Sequence, residues 1–242
     1  MPSVNCMRVL HPQLQLVGTV LALLLGSSWS ADEAREVATQ RIEASAKAFT
    51  ELMSDSHNAI PSNVLEGAKC VAGIPSMVQV AVALGGNHGK GFVTCRITNG
   101  WSAPAPITIT GVSWGSQVGG EAVDLVMVVT NDQGMQRLLS SQMKFGTEAS
   151  VAAGPVGHHA GTSSDATMKA EVLTYSRARG LFAGTNFNGA SLSQDQDDTR
   201  ALYGSDISFA QILSGKIPPP EASQPFVEAV QKYATQANNP AR

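Results

Sequence analysis

Residues 85–91 read GGNHGKG, four glycines around one histidine and one lysine, a composition suited to holding a phosphate. Glycine lets backbone N–H groups converge on an oxyanion, and a lysine ammonium adds charge. The spacing of a nucleotide-binding P-loop is nevertheless not met. Leu84 stands where its first glycine belongs, and Gly91 replaces the Ser or Thr that would hold magnesium. The flanks VQVAVALGG and GFVTCRI are β-rich, so GNHGK is expected to connect two strands, with contact between an anion and His88 or Lys90 as a second role.

Residues 111–115, GVSWG, fit the Gly-x-Ser-x-Gly pattern of a hydrolase nucleophile elbow. Asp124, Asp132, His158 and His159 follow in acid-then-histidine order. An elbow needs a helix directly after the serine, because that helix N-terminus supplies part of the oxyanion hole. Here SQVGG follows, a poor helix former, so hydrolysis through Ser113 is an alternative and not the main reading. In QDQDDT, Asp195, Asp197 and Asp198 suggest calcium, but Arg200 and Asp206 stand where an EF-hand needs glycine and glutamate. A solvated acidic turn entering a helix is expected. Adjacent His158 and His159 would face opposite sides of a strand, so at most one joins any site. No metal or cofactor is expected.

The elements that must position these residues begin after an export signal. Arg8 precedes the apolar block LVGTVLALLLG, and small residues at Ser28 and Ser30 suit cleavage after Ser30. Cys6 lies before that block and is not a lipoprotein cysteine. Removing the first thirty of 242 residues leaves 212 and moves the formal charge from −3 to −4. A mildly acidic chain argues against a nucleic-acid groove. The remaining Cys70 and Cys95 either pair in the oxidising exterior or stay as two buried thiols; spacing does not decide.

Helical periodicity over Asp32–Met53 marks an amphipathic helix, with a short second helix over about Pro61–Ala68. NDQGMQRLLSSQMKFG reads as a helix capped by Asn131 or Asp132, and PFVEAVQKYATQA as a last helix after Pro218-Pro219-Pro220. Between them, ITITGVSW and AVDLVMVVT, and then KAEVLTYSRARGLFAGTNF and ASLSQ across Asn188-Gly189, read as antiparallel hairpins. The fold class is α+β, mainly antiparallel sheet curved into a sandwich or barrel-like body with flanking helices. The segments are 1–30 signal peptide, 31–57 helix and linker, 58–217 domain, and 218–242 proline break and C-terminal helix.

Taken in order, AIPSNVLEGAKCVAGIPS, LGGNHGKGFVTCR, GWSAPAPITITGVSWGSQVGGEAVDLVMVV, GTEASVAAGPVG, YSRARGLFAGTNFNGA and RALYG resemble the SYLF domain over about residues 58–217. That resemblance implies lipid binding, with phosphoinositide binding described for eukaryotic members and actin binding for yeast cortical-patch proteins. It implies no catalysis. Its membrane-meeting start corresponds to Ile60, Pro61, Val64, Leu65 and Lys69, a stretch with one lysine before Cys70. The expected function is binding of phospholipid or another anionic lipid in the periplasm or outside the cell. An envelope scaffold is a further alternative, and export argues against actin as a partner.

On a strand, Arg177 and Arg179 project to one face, and their planar forks suit phosphate oxygens. They lead the candidate lipid contacts, joined by Arg96, Lys90, Lys69, His88 and Trp101, whose indole suits a lipid interface. The competing expectation for each arginine is an ion pair with a carboxylate such as Glu148 or Glu171.

Overall fold

A computed structural model describes residues 13–55, 57–81, 85–113, 119–140, 142–156, 169–178, 181–183, 187 and 189–237. Its centre is one curled sheet in the order β6-β10-β4-β2-β1-β5-β8-β7. The strands are β1 (Cys70–Ala81), β2 (Gly85–Ile97), β4 (Ala105–Ser113), β5 (Gly119–Val129), β6 (Gln142–Lys144), β7 (Val151–Ala153), β8 (Val172–Ala178) and β10 (Ala190–Gln194). Two short strands sit off this path: β3 (Gly100–Trp101) pairs with β2, and β9 (Leu181–Ala183) with β8. The end strands β6 and β7 are consecutive in the chain, linked through a Phe145–Ala149 bridge, so the sheet bends into a half-barrel.

Alternation along the strands loads both faces with apolar residues. The inner face carries Ile74, Met77, Val93, Ile107, Ile109, Leu125 and Met127. It is plugged by Leu138 of α3 (Asp132–Leu139) and by Phe209, Ile212 and Leu213 of α5 (Phe209–Leu213). The outer face carries Val71, Phe92, Val126, Val128, Leu173 and Tyr175. It is covered by α1 (Gln13–Ser54) through Ala38, Ile42, Phe49 and Leu52, by α2 (Ser62–Gly67), and by Phe226, Val230 and Ala234 of α6 (Gln224–Ala237). Residues 31–37 of α1 are all exposed, and Ala38 is the first buried residue among the side chains described. Among the described residues no helix is long and apolar enough to cross a membrane.

Caps follow local chemistry. Asn131 accepts the Gly134 N–H at the start of α3, and Asp195 accepts the Asp198 N–H at the start of α4 (Gln196–Tyr203). Ser208 and Gln211 form a capping box on α5. Cys70 and Cys95 lie directly opposite in β1 and β2 and are joined as a disulfide. In the chain-entropy account, closing a loop of this size contributes about 3 kcal/mol.

Four expectations need correction. The helix read over NDQGMQRLLSSQMKFG ends at Leu139, and Gln142–Lys144 form β6 because they pair with β10. GNHGK is not a connection: it lies inside β2, with Val78 opposite His88 and Val80 opposite Gly86. β4 and β5 form no hairpin, because the β1–β2 pair lies between them, and β4 meets β2 and β10 while β5 meets β1 and β8. β10 pairs with β4 and β6, not with β8 or β9, so no hairpin spans Gly189; Asn188 lies outside the described residues. The hairpin reading assumed that neighbours in sequence pair in space, and the long β1–β2 ribbon displaces them.

The glycines of GGNHGKG serve close approach. Between Gly73 and Val78 the register of β1 slips through a bulge at Pro75-Ser76, where Ser76 takes φ 47° and donates its N–H to Asp124 Oδ1 at 2.9 Å. The bulge leans over the inner side of β2. A Cβ on Gly91 would sit 2.1 Å from the Gly73 carbonyl oxygen, and one on Gly89 2.7 Å from both Ile74 Cγ2 and Met77 Cγ. Backbone cannot yield as a flexible side chain does. Gly91→Ala is therefore expected to cost about 3 kcal/mol or more, read as a lowered urea midpoint. Gly67→Ala, whose Cβ would meet nothing within 4 Å, should stay close to wild type.

Candidate functional site

His88 and Lys90 share the outer side of β2 with Phe92, so the histidine and lysine of GGNHGKG point the same way while Gly89 and Gly91 face in. Lys90 is not free. Its Nζ lies 2.6 Å from Asp195 Oδ2 and 3.8 Å from Asp198 Oδ1, and Arg41 of α1 pairs with Asp198 from the other side. Thr108 of β4 donates to the same Asp195 oxygen at 2.9 Å. Asp195 and Asp198 are buried, contrary to the expected solvated turn, while Asp197 is exposed and pairs with Arg200. Two cations and two carboxylates thus bind α1, β2, β4 and the start of α4 together.

The two buried acids are pushed apart. Burial would raise Asp195, but hydrogen bonds from Lys90, the Asp198 N–H and Thr108 together hold it below the ordinary 3.8. Burial also raises Asp198, and the neighbouring Asp195 charge adds to this against Arg41, leaving it above that value.

Arg177 of β8 meets Glu51 of α1 at 2.5 Å, neither Glu148 nor Glu171. Those two acids pair with Lys144 and Arg137. Arg96 donates from Nε to Ala68 O and from Nη2 to Leu65 O, both at 3.0 Å, and its guanidinium carbon lies 4.7 Å from the Trp101 ring centre. It therefore closes the carbonyl end of α2, and Trp101 is buried beneath it. Lys69 pairs with Asp132 at 2.8 Å. Ile60, Val64 and Leu65 are buried with α1 and α6, so the apolar side of that segment faces the domain.

The seven candidates do not converge. Lys69, Arg96 and Trp101 gather at the disulfide end of the sheet; Lys90, His88 and Arg177 lie toward the other end on the outer face; Arg179 lies outside the described residues. His88 is exposed there, beyond the cover of α1. Sequence reasoning missed that Glu51 would pair with Arg177, Asp195 with Lys90 and Asp198 with Arg41, since the partners are 126 to 157 residues apart for Arg177–Glu51 and Arg41–Asp198.

Ser113 ends β4 opposite Gly85, whereas Asp132 pairs with Lys69 beyond the Cys70–Cys95 pair. Ten residues of β2 separate these ends, roughly 34 Å. His158 and His159 lie outside the described residues. Among the described residues no group of three or more His, Cys, Asp or Glu side chains is placed to hold a metal. Other segments of the recurring sequence are architectural. Ser102 Oγ accepts the Cys95 N–H at 3.0 Å, and Tyr203 donates to Pro104 O at 2.7 Å.

The chain is thus a helix-covered α+β half-barrel in which Lys69, Lys90, Arg96 and Arg177 are engaged by internal partners. The family model described as Ysc84, Las17-binding protein actin regulator, matches residues 110–233, and the chain belongs to that family. It is 34% identical over 183 residues to LAS seventeen-binding protein 3 of Saccharomyces cerevisiae, an alignment covering 72% of this chain and 39% of that one. It is 31% identical over 195 residues to the Homo sapiens SH3 domain-containing YSC84-like protein 1, covering 79% and 57% respectively. The chain thus spans well under two thirds of the length of either relative.

The linked carboxylates give a signed pH dependence. Asp195, depressed when folded, contributes stability above 3.8 that is lost as the pH falls through its lower folded value. Asp198, raised when folded, contributes the opposite slope: its contribution is present below 3.8 and lost as the pH rises through its folded value. Asp195→Asn should therefore cost about 2 kcal/mol at neutral pH by unpairing Lys90, and should flatten the fall in urea midpoint below pH 3.8. An unchanged acid slope in the variant would contradict this assignment.

Proposed function

We propose that the chain is a non-catalytic binding module that takes anionic phospholipid on its surface, in the periplasm or outside the cell. The observation that carries this reading is the outer face, which emerges from helix cover beyond Lys90 and Arg177. The inner face is packed against α3 and α5 mainly through apolar side chains, with buried Asn87, Thr174 and Ser176 among its described residues. A ligand held at that surface fits such a body better than one enclosed within it. The resemblance to lipid-binding SYLF domains supplies the ligand class. Hydrolysis through Ser113 with Asp132 finds no support in their separation.

Protein partnership is the second reading, favoured by a relative that is itself named for binding LAS seventeen. The two separate by sedimentation with vesicles. Protein beginning at Ala31 should pellet with vesicles containing anionic phospholipid, remain in solution with purely zwitterionic ones, and lose binding as salt rises toward the range where the Debye length is about 8 Å. Equal sedimentation with both lipids, or none with either, would remove the anionic-lipid reading and leave protein partnership.

Export rests on the Arg8-to-Ser30 pattern, and residues 31–37 next to the cleavage position are exposed. Expression of the whole chain in a bacterial host should give mature protein in the envelope or medium whose first residue is Ala31. Cytosolic protein retaining residues 1–30 would contradict export.

A further inference from the structure

The outer face has a second feature that neither the resemblance nor the charged motifs pointed to. Cross-strand partners share a face, so register pairs trace a line across the sheet. One line is continuous over six strands: Lys144 of β6 opposite Ser191 of β10, Ser191 opposite Thr110 of β4, Thr110 opposite His88 of β2, His88 opposite Val78 of β1, and Val78 opposite Ala122 of β5. Lys144, Thr110, His88, Val78 and Ala122 are exposed and Ser191 is half-buried. At a strand spacing of about 4.8 Å, five intervals make a face about 24 Å wide.

The chemistry of this row is one-sided. It contains an ammonium, an imidazole, two hydroxyls and two small apolar groups, and no carboxylate. Nearby acids are engaged. Asp195 and Asp198 lie under Lys90 and Arg41, Glu51 holds Arg177, and Asp124 accepts the Ser76 N–H. Among the acids described, Glu148 is the exception at the edge, an exposed partner for Lys144 at 3.8 Å. Val78 is 48% exposed, one of two large hydrophobic residues so exposed among those described. A chain that is acidic overall therefore presents here a strip of donors that ends on an exposed apolar side chain.

We propose that the row Lys144–Ser191–Thr110–His88–Val78–Ala122 is the surface on which the protein lies against an anionic phospholipid bilayer. This deepens the lipid reading and rests on it. A layer of headgroup phosphates matches the row in sign: hydroxyl and imidazole donors meet headgroup oxygens, Lys144 adds charge, and Val78 reaches the boundary of the acyl region. The spread of the row's donors favours an extended layer over a single small anion, since Lys144 and His88, three strand spacings or about 14 Å apart, cannot converge on one phosphate. Lys90 and Arg177 flank the row from the next register inward, and their internal partners leave them to position α1 against the sheet, not to bind headgroups.

The test uses the chain from Ala31 with vesicles of zwitterionic lipid containing a fraction of phosphatidylserine. His88→Glu/Thr110→Glu places two negative charges on exposed positions and should weaken vesicle binding about tenfold or more. Lys216→Glu, near Ile97 at the opposite end of β2, should bind within about twofold of the parent. Thermal midpoints close to the parent's establish that each variant folds. In Val78→Trp, the added indole emission, taken as the difference from the parent protein, should shift to shorter wavelength with anionic vesicles. A parent protein that ignores the vesicles overturns the lipid reading, and the row with it. A parent that binds while the double variant binds equally well, or while the indole at position 78 shows no shift, overturns the row alone and leaves lipid binding by another face.

Discussion

The approach of β1 to β2 at Gly73 and Gly91 is the contact on which the rest of the structure depends. At that point the chain must pass a bulge over its neighbour at backbone distance while a helix crosses the other side. A Cβ on Gly73 would lie 3.0 Å from Ser45 O and 3.1 Å from Phe226 Cε2, so α1 and α6 press on the outer face where β2 meets the inner one. With side chains at both glycines the sheet could not coil there. With neither, it bends enough for β6 and β7 to be joined across the half-barrel by a short link.

That crossing divides the outer face into two regimes. On the disulfide side of Gly73, β1, β2, β5 and β8 carry Val71, Phe92, Val126, Val128 and Tyr175 under α1 and α6. On the far side the same strands leave helix cover, first at Lys90 and Arg177, whose ion pairs to Asp195 and Glu51 border α1, and then at exposed His88, Val78 and Ala122. Strands buried on both faces at one end and on one face at the other produce a rigid body with an open surface. Buried ion pairs at the border contribute little net stability against an apolar alternative, and the better account of them is that they fix where α1 stops.

Local structure was legible in the sequence. The helices, the Asn131 cap and the α+β class follow from periodicity and from side chains acting within a few residues of themselves. Pairings set by the whole fold were not. ITITGVSW and AVDLVMVVT carry strand signals, but nothing in either segment shows that two other strands separate them. GGNHGKG was readable as a strand through its alternation, with Gly89 and Gly91 on one side and His88 and Lys90 on the other. Its glycine content masked that pattern. At the candidate site His88 could be anticipated from composition, whereas Thr110, Ser191, Val78 and Ala122 carry no chemical signature until register brings them into line. The Cys70–Cys95 bond was left open because it depends on β1 and β2 pairing with no offset at those positions.

Selective lysine acetylation read by mass spectrometry addresses the central claim, that the far outer face is the binding surface, most directly. Lys144 lies in the exposed row, and Lys216 is exposed at the opposite end of the sheet. On adding phosphatidylserine-containing vesicles, the account predicts that Lys144 becomes protected while Lys216 reacts as before. Protection of Lys216 with Lys144 unchanged, in protein that demonstrably sediments with the vesicles, would contradict it.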